Sequence, residues 1–234
     1  MLEIRDLYVN YGNLQIIQGV SMTVKDGEMI SLVGSNGAGK TTLLKAISGL
    51  KSVNGGSIVF DGVDLLKLSA PKIVEHGVVQ IPEGRKLFPD MSVQENLELG
   101  SYLKGPKAKR KDTLEYVYSI MPDLEIKAKQ PAGSLSGGQQ QMVAIGRGLM
   151  SRPKMLIFDE PSIGLSPLLT DIMFEIIAKV KNDGVTIMLV EQNVQNALKM
   201  ADRGYVLEQG RISMEGKASD LLQNEDLRKA YLGM

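Results

Sequence analysis

The chain contains no cysteine, only one histidine and no net charge. The lack of cysteine excludes disulfides, thiolate metal sites and cysteine nucleophiles, and it is typical of a reducing compartment. Lysine plus arginine and aspartate plus glutamate number 27 each. No global basic field would therefore recruit nucleic acid or anionic lipid, and we expect no nucleic-acid partner.

Long apolar runs are also missing. No window approaches the ~20 apolar residues that a membrane-spanning helix needs. The first residues, Met1 to Asp6, include early acidic side chains and no apolar stretch of a secretory signal. We expect a cytoplasmic chain that contacts a bilayer only through a partner. Its 234 residues suffice for one domain, or for one domain with a sub-lobe.

A glycine-rich loop is the most informative stretch of the sequence. It lies between an apolar, β-leaning run at 29–33 and a run at 42–47 with helical spacing. The loop matches G-x-x-x-x-G-K-[ST] and consists of Gly34, Ser35, Asn36, Gly37, Ala38, Gly39, Lys40 and Thr41. Strand, loop and helix in this order are the context that a phosphate-binding loop requires.

The chemistry of phosphate binding explains these residue types. Glycines allow a tight turn whose backbone N–H groups point inward and form an anion nest at a helix N-terminus. We expect Lys40 to reach the β- and γ-phosphates, the Thr41 hydroxyl to bind Mg²⁺, and Thr42 to help hold the phosphates. A chance glycine-rich turn is the competing interpretation, and the flanking strand and helix argue against it.

The rest of the chain predicts an α/β core with two additional layers. Short strands at 2–9, 16–17 and 21–24 predict an antiparallel β layer, and runs at 155–158 and 185–190 predict buried strands of the core. From about Ser92 to Met150 the apolar spacing becomes helical. We also expect a helix at 171–181, with Ile172, Phe174, Ile176 and Ile177 facing inward, a helical tail at 218–232, and His76 on the surface.

Two carboxylates and one tyrosine are candidates for the remaining parts of a nucleotide site. Asp159 ends an apolar strand, where a carboxylate can hold Mg²⁺ beside the phosphates, and Glu160 follows, where it can act as general base on a water. An ordinary exposed turn is the alternative for this pair. Tyr11, before Gly12, offers a ring on which adenine can stack, although a core or strand tyrosine is the alternative.

A second candidate anion site identifies a family. Leu135, Ser136, Gly137, Gly138 and Gln139 precede a helix-like run at 140–148. Together with the phosphate loop, this run resembles the signature of ABC-type ATPases, and the resemblance spans essentially the whole chain. It implies the ABC ATPase fold, a P-loop NTPase core with an antiparallel β layer. It also implies a single domain over 1–234, with a helical subdomain at about 90–150 inserted between 1–89 and 151–234.

The resemblance also implies a shared ATP site. In that family two cassettes pack head to tail, and each ATP lies between one phosphate loop and the other subunit's signature. Residues 136–139 would then act on the partner's nucleotide, and Tyr11 matches the adenine-stacking aromatic residue. The loop from Ser162 to Ser166 matches the segment that crosses the dimer, with Ser166 in place of the usual aspartate.

Two further positions differ from the family pattern. The family has a glutamine that touches Mg²⁺ and senses the membrane partner, and Glu83 occupies that place when counted back from Leu87 and Phe88, with Gln80 as the alternative. The family histidine that contacts the γ-phosphate is replaced by Gln192. A glutamine amide can donate a hydrogen bond to phosphate, but it carries no charge.

The segments Pro82–Arg85, Leu87–Pro89, Val190–Asn193 and Arg228–Gly233 resemble the ATP-binding subunits of branched-chain amino acid importers. That resemblance implies two membrane permeases, a second ATPase subunit in a homo- or heterodimer, an external solute-binding protein, and a place on the inner face of the membrane. Alternatives are a urea, amide or envelope-lipid transporter and a regulatory ABC ATPase. A chromosomal ABC ATPase would need a long heptad insertion, which is missing.

Overall fold

A computed structural model describes residues 1–231 of the chain. Within them the strands form one sheet of four strands and one of six. The strands are β1 (Leu2–Tyr11), β2 (Leu14–Val24), β3 (Met29–Val33), β4 (Gly55–Phe60), β5 (Val63–Asp64), β6 (Val78–Ile81), β7 (Met155–Asp159), β8 (Thr186–Glu191), β9 (Arg203–Glu208) and β10 (Arg211–Lys217). The helices are α1 (Lys40–Ile47), α2 (Ala70–His76), α3 (Val93–Leu99), α4 (Lys104–Ala108), α5 (Arg110–Ile120), α6 (Pro122–Ile126), α7 (Gly137–Leu149), α8 (Pro167–Asn182), α9 (Val194–Met200), α10 (Ala218–Gln223) and α11 (Glu225–Tyr231).

The larger sheet, in the order β10-β9-β3-β8-β7-β6, forms the centre of the fold. β3 pairs in parallel with β8 and β9, and β7 pairs in parallel with β6 and β8, whereas β10 is an antiparallel edge strand. Every residue of β3, β7 and β8 is buried. Strands covered on both faces are apolar throughout, which explains the runs in the sequence. The predicted α/β class with a mostly parallel sheet is confirmed.

The smaller sheet, in the order β2-β1-β4-β5, is the predicted antiparallel layer. The segments 16–17 and 21–24, predicted as separate strands, belong to the single strand β2. β1 and β2 remain paired along their whole length because register shifts absorb the irregularities between them. Gly19 has a positive φ of 74°, a conformation that a glycine adopts without strain.

Two apolar cores cover the faces of the central sheet. Alternate residues of a strand point to opposite faces, so Ile30 and Leu32 of β3 pack toward the antiparallel layer and α1. Met29 and Val33 of the same strand pack into the other core, which continues through α8 and α9 to the helices between β6 and β7. The central sheet is therefore held rigidly on both sides.

The segment between β6 and β7 is helical, as its spacing predicted. We call α3 to α7 (residues 93–149) the helical arm. α3 begins with a capping box in which Ser92 and Glu95 bond each other's backbone N–H groups. α3 then packs on α7 so closely that a Cβ atom at Gly100 would lie 1.9 Å from the carbonyl oxygen of Arg147. Within the helical arm, the end of α3 therefore packs directly on α7, the helix that begins in the signature.

The structure differs from the prediction in the inner face of α8 and in the helical tail. The inner face of α8 uses Met173 rather than Ile172, because Met173 and Ile177 lie four residues apart on one face, and Ile172 is 39% exposed. The tail is interrupted at Asn224, whose extended backbone ends α10 and whose side chain accepts the N–H of Leu227 in α11. Leu232, the last residue of the predicted tail helix, lies outside the described residues.

His76 is half-buried rather than on the surface. Its ring packs edge-on against Phe60, with 5.9 Å between the ring centroids. Its Nε2 atom is buried without a hydrogen-bond partner among residues 1–231. None of the helices in this part of the chain has the length and apolar character to cross a membrane.

We predict that Gly100→Ala destabilises the helical arm. The added methyl group would collide with the backbone of α7, which cannot move as a side chain could, and overpacking of this kind costs about 1–3 kcal/mol. Gly105→Ala is the matched control, since a Cβ atom there has no neighbour within 4 Å. Urea unfolding should show a lower free energy of unfolding for Gly100→Ala alone, and equal stabilities would contradict the prediction.

Candidate active site

The phosphate loop connects β3 to α1 at the carboxyl edge of the central sheet. Gly37 and Gly39 have positive φ values of 81° and 111°, which residues with side chains rarely adopt. A Cβ atom at Gly34 would lie 2.3 Å from the carbonyl oxygen of Leu207, so the close approach of β9 requires glycine there. The loop therefore has the tight shape that its glycines predicted, directly before the N-terminus of α1.

Lys40 is the first residue of α1 and folds back over the loop. Its Nζ atom donates to the carbonyl oxygens of Gly34 at 2.8 Å and Ser35 at 3.2 Å. The same atom lies 3.2 Å from Oε1 of Glu160. The ammonium group is thus buried inside the curve of the loop, where a phosphate oxygen can accept a charge-assisted hydrogen bond from it.

Asp159 is the last residue of β7 and is 3% exposed. Its Oδ2 accepts a hydrogen bond from Nε2 of Gln80 at 3.3 Å. Its Oδ1 is buried and has no hydrogen-bond partner in the described part of the chain. Burial, followed by the charges of Glu160 and Glu83, raises the pKa of Asp159 to about 6. A buried carboxylate with a free oxygen and an elevated pKa is suited to binding a cation.

The neighbours of Asp159 fit Mg²⁺. Thr41, Glu83 and Asp159 line one groove and offer hydroxyl and carboxylate oxygens, which are the ligands that Mg²⁺ prefers. Residues 1–231 contain no cluster of three or more histidine or acidic side chains that could hold a metal ion. In phosphoryl-transfer sites Mg²⁺ usually takes one or two protein ligands together with phosphate oxygens and water, and Thr41, Glu83 and Asp159 could supply the protein ligands.

Glu160 leaves β7 in the left-handed conformation, with φ of 48°. Its backbone N–H donates to the carbonyl oxygen of Val190 at 2.8 Å, which ties the turn to β8. A non-glycine residue in this conformation costs about 1–2 kcal/mol, and such strain concentrates at functional sites. The turn directs the carboxylate toward Lys40, where it can accept a proton from water.

A cavity of about 600 Å³, which we call the nucleotide cavity, brings many of the predicted residues together. It is lined by Tyr11, Leu14, Ile16, Asn36, Gly37, Gly39, Lys40, Thr41, Thr42, Glu83, Glu160, Ile163 and Gln192. Leu14, Ile16 and Ile163 were not predicted as site residues. Leu14 and Ile16 lie at the start of β2, close to Tyr11, and Ile163 lies in the turn after Glu160. The only signal in the sequence was that apolar side chains stand so close to Tyr11 and Glu160.

Tyr11 lies at the rim of the nucleotide cavity and is 45% exposed. Nζ of Lys51 lies 4.0 Å from the centroid of its ring. This cation–π contact fixes the ring from one side, and it was not predicted. An exposed, oriented ring beside a phosphate loop suits stacking with a nucleobase.

Glu83 and Gln80 both lie near Asp159, but only Glu83 also lines the nucleotide cavity. Glu83 follows β6 and lines the nucleotide cavity as well as the groove beside Asp159. Gln80 lies within β6 and lines that groove but not the nucleotide cavity, and its side chain also accepts a hydrogen bond from Ser48 at 2.6 Å. Glu83 is thus placed to meet a bound nucleotide, and Gln80 to orient Asp159. The role of Glu83 as the metal contact stays a prediction.

The signature residues do not line the nucleotide cavity of their own chain. Ser136 caps α7 and forms a capping box with Gln139: the Ser136 hydroxyl accepts the N–H of Gln139, and the Gln139 side chain accepts the N–H of Ser136. Gly138 lies against Leu169, so that a Cβ atom there would be 2.5 Å from Cδ1 of that leucine. The N-terminus of α7 is therefore a separate potential anion site.

The turn after Glu160 is held by a hydrogen bond from Ser162 to the buried carboxylate of Glu191. Glu191, the last residue of β8, accepts the N–H of Ser162 at 3.0 Å, and burial raises the pKa of Glu191. Ser166 caps α8 by accepting the N–H of Leu169, which gives this serine a structural role where the family has aspartate. Gln192 follows β8 directly and is exposed at the nucleotide cavity.

We predict that Asp159→Asn stabilises the chain in the absence of Mg²⁺ and nucleotide. Because the pKa of Asp159 is higher in the folded chain, the folded state binds the extra proton, and this stabilising contribution is lost as pH rises through about 6. The variant should exceed the wild type by about 2–3 kcal/mol at pH 8, and by about 1 kcal/mol less at pH 5. Urea unfolding in EDTA measures both values.

The control for this experiment is Asp123→Asn, which removes one exposed negative charge from α6. It should leave the stability nearly unchanged at both pH values. An Asp159→Asn advantage that is absent at pH 8, or equal at pH 8 and pH 5, would contradict the elevated pKa.

Known proteins resemble the chain over its full length. The family described as ABC transporter matches residues 17–163, a range that contains the phosphate loop, the signature and Asp159. The high-affinity branched-chain amino acid transport ATP-binding protein BraG of Pseudomonas aeruginosa is 44% identical over 233 residues, with 100% of both chains covered. The probable branched-chain amino acid transport ATP-binding protein LivF of Archaeoglobus fulgidus is 36% identical, with 100% of this chain and 99% of that one covered.

Solved structures agree with this result. The ADP conformation of MJ1267, an ATP-binding cassette of an ABC transporter, matches with a TM-score of 0.87 at 28% identity, and covers 100% of this chain and 99% of its own. The match covers the whole cassette fold, and in this chain the strands that lead to the phosphate loop and to the acidic pair end at the same edge of the central sheet. The chain belongs to the ABC transporter family, as one of its ATP-hydrolysing subunits.

Proposed function

We propose that this chain drives an importer of branched-chain amino acids. The observation that carries the proposal is the nucleotide cavity, in which the phosphate loop, Glu160 and Gln192 meet at one edge of the sheet. The choice of substrate is supported by two relatives, 44% and 36% identical, whose names assign them to branched-chain amino acid transport. Close relatives of such subunits serving urea, amides or envelope lipids are the alternatives.

The polar residues of the nucleotide cavity and of the adjoining groove have distinct parts in ATP hydrolysis. The N–H groups of the loop and the ammonium of Lys40 hold the phosphates, Thr42 assists them, and Tyr11 stacks on the adenine. Thr41, Asp159 and Glu83 would hold Mg²⁺, which when bound would supply positive charge to neutralise the phosphates. Glu160 takes a proton from the attacking water, and the Gln192 amide donates to the γ-phosphate.

The signature completes the site from a second subunit. Ser136, Gly137, Gly138 and Gln139 lie outside the nucleotide cavity of their own chain, at the capped N-terminus of a 13-residue helix. In a head-to-tail dimer they would reach the γ-phosphate held by the partner's loop. Both homodimers and heterodimers satisfy this arrangement. The single domain over 1–234, with its helical subdomain at about 90–150, would then be one half of the working unit.

A groove beside the nucleotide cavity suits the permease. It measures about 540 Å³ and is lined by apolar side chains, including Leu50 and Tyr102, which are 65% and 56% exposed. The floor of the groove carries Gln80, Glu83 and Asp159. A cytoplasmic segment of a permease seated there would therefore move residues that contact Mg²⁺ and nucleotide, which couples closure of the dimer to transport.

This coupling defines the partners and the location of the protein. The chain would lie in the cytoplasm on the inner face of the membrane, bound to two permease subunits. The permeases would receive the amino acid from an extracytoplasmic solute-binding protein. The proposal includes no nucleic-acid partner, because the chain carries equal numbers of acidic and basic residues, 27 of each.

We predict that Glu160→Gln binds ATP but hardly hydrolyses it. The amide keeps the size of the side chain and its capacity to accept a hydrogen bond, but it cannot act as a base, and loss of general-base catalysis costs about 10²–10⁴-fold in rate. Phosphate release with Mg²⁺ measures the turnover, and gel filtration with ATP should show an accumulated dimer. Turnover at the wild-type rate would remove Glu160 as the base.

Gln192→Ala should lower turnover more than ATP affinity, because the amide is expected to meet the γ-phosphate during hydrolysis. Gln195→Ala is a matched control: this glutamine is exposed on α9 and is not among the residues that line the nucleotide cavity. Unchanged turnover in Gln192→Ala would show that Gln192 takes no part in the reaction.

Uptake by the reconstituted transporter tests the substrate. Proteoliposomes containing the complete complex, with ATP inside, should accumulate labelled leucine, isoleucine and valine in the presence of the solute-binding protein. Urea serves as the competing substrate. ATP-dependent uptake of urea without uptake of the three amino acids would contradict the proposed specificity, and the Glu160→Gln complex provides the background rate.

A further inference from the structure

Three consecutive residues after Glu83 adopt the left-handed conformation. Gly84, Arg85 and Lys86 have φ values of 74°, 62° and 48°. Glycine adopts such values freely, but arginine and lysine rarely do, and two such residues in succession need support from the surrounding structure. We call residues 84–86 the left-handed turn. Its shape sets the direction in which the chain leaves Glu83, which lines both the nucleotide cavity and the adjoining groove.

The support comes from α7, through Arg147. Its Nη1 atom donates to the carbonyl oxygen of Lys86 at 2.8 Å, and its Nη2 atom donates to that of Arg85 at 3.0 Å. One planar guanidinium group thus holds the carbonyl groups of both residues that are unfavourable in this conformation. These two hydrogen bonds connect positions that lie 61 and 62 residues apart in the chain.

The left-handed turn also reaches back to α7. Nη1 of Arg85 donates to Oε1 of Gln140 at 3.2 Å. The same guanidinium group lies against the signature, since a Cβ atom at Gly137 would be 2.9 Å from Nη2 of Arg85. Two arginines therefore join the turn and α7 in opposite directions, Arg85 near the start of the helix and Arg147 near its end.

The surroundings of Arg147 point to a role in holding the turn. Arg147 is half-buried, and it lines neither the nucleotide cavity nor the groove beside Asp159. Burial lowers the pKa of Arg147, and no charged group of the described residues offsets this effect. A guanidinium group in such a place depends on its hydrogen-bond acceptors, and the structure gives it two carbonyl oxygens of one turn.

We propose that Arg147 is a positioning residue for Glu83. By holding two carbonyl groups of the left-handed turn, it keeps Glu83 at the border between the nucleotide cavity and the groove, and it fixes this place relative to the helix of the signature. The proposal rests on the proposed function, in which Glu83 holds Mg²⁺ beside the phosphates. It assigns a function to an arginine that no motif of the sequence singled out.

The first test is Arg147→Met, which keeps an unbranched apolar stem and removes the donors. Amide hydrogen exchange of the isolated chain should be faster in the peptide that contains residues 84–86. The apparent Kd for a fluorescent, non-hydrolysable ATP analogue should rise about threefold to tenfold with Mg²⁺, because a displaced Glu83 holds the metal less well. In EDTA the Kd should change less than about twofold, because the phosphate loop keeps its own contacts.

The conservative variant and a control separate this role from general stability. Arg147→Lys should restore part of the exchange protection and part of the affinity, since an ammonium group can still donate to a carbonyl oxygen. Arg110→Met is the matched control: Arg110 is also a half-buried arginine of the helical arm, but it bonds Ser101 and Glu98. It should leave both measurements at wild-type values. Equal losses in Arg147→Met and Arg110→Met would indicate a general loosening of the helical arm and would overturn the proposal.

Glu83→Ala shows whether Arg147 acts through Glu83. This variant should itself weaken binding of the ATP analogue with Mg²⁺, and Arg147→Met should then add little, because both changes affect one contact. Additive losses would overturn the proposal. So would an Arg147→Met chain with the exchange and the Kd of the wild type.

The same measurements separate this inference from the proposed function. If the wild-type chain bound no ATP analogue with Mg²⁺, the proposed function itself would fail. If Glu83→Ala bound the analogue as the wild type does, Glu83 would not be the metal contact, and the positioning role would fall with it. If Glu83→Ala weakened binding and Arg147→Met did not, only the positioning role would be wrong.

Discussion

The parallel pairing of β3, β8 and β7 is the constraint on which the rest of the structure depends. Asp159 pairs with Val190, and Val33 with Glu191, so the carboxyl ends of three strands meet at one edge. Residues more than 100 positions apart in the chain thereby become neighbours. A slip by one residue would exchange the side chains of these strands between the two closely packed cores, so the packing on both faces fixes their register.

The site made in this way has an excess of negative charge. Glu83, Asp159, Glu160 and Glu191 lie around a single lysine contact, that of Lys40 with Glu160. Asp159 and Glu191 are buried, and the burial of a carboxylate is unfavourable unless cations or hydrogen-bond donors compensate it. In the proposed site, Mg²⁺ would supply such compensation, and the loop N–H groups would compensate the charge of the phosphates. The charges of the site would then favour a metal–nucleotide complex over either component alone.

Local motifs and apolar runs were enough to predict the fold class, the phosphate loop, the acidic pair and the helical arm. What escaped prediction depends on tertiary packing. The choice of Met173 over Ile172 follows from the direction in which α8 meets the core, and the burial of His76 follows from its contact with Phe60. The hydrogen bond of Gln80 to Asp159 spans 79 positions. No spacing in a single sequence signals such contacts.

The capping box of α7 has a consequence for the lifetime of the closed dimer. Ser136 and Gln139 already satisfy each other's backbone N–H groups in the isolated chain. In the proposed head-to-tail dimer, a phosphate held by the partner would compete with these internal bonds, so closure would exchange hydrogen bonds rather than only add them. Release of the phosphate would allow the helix to regain its own cap. The capping box would therefore stabilise the open state of the proposed dimer.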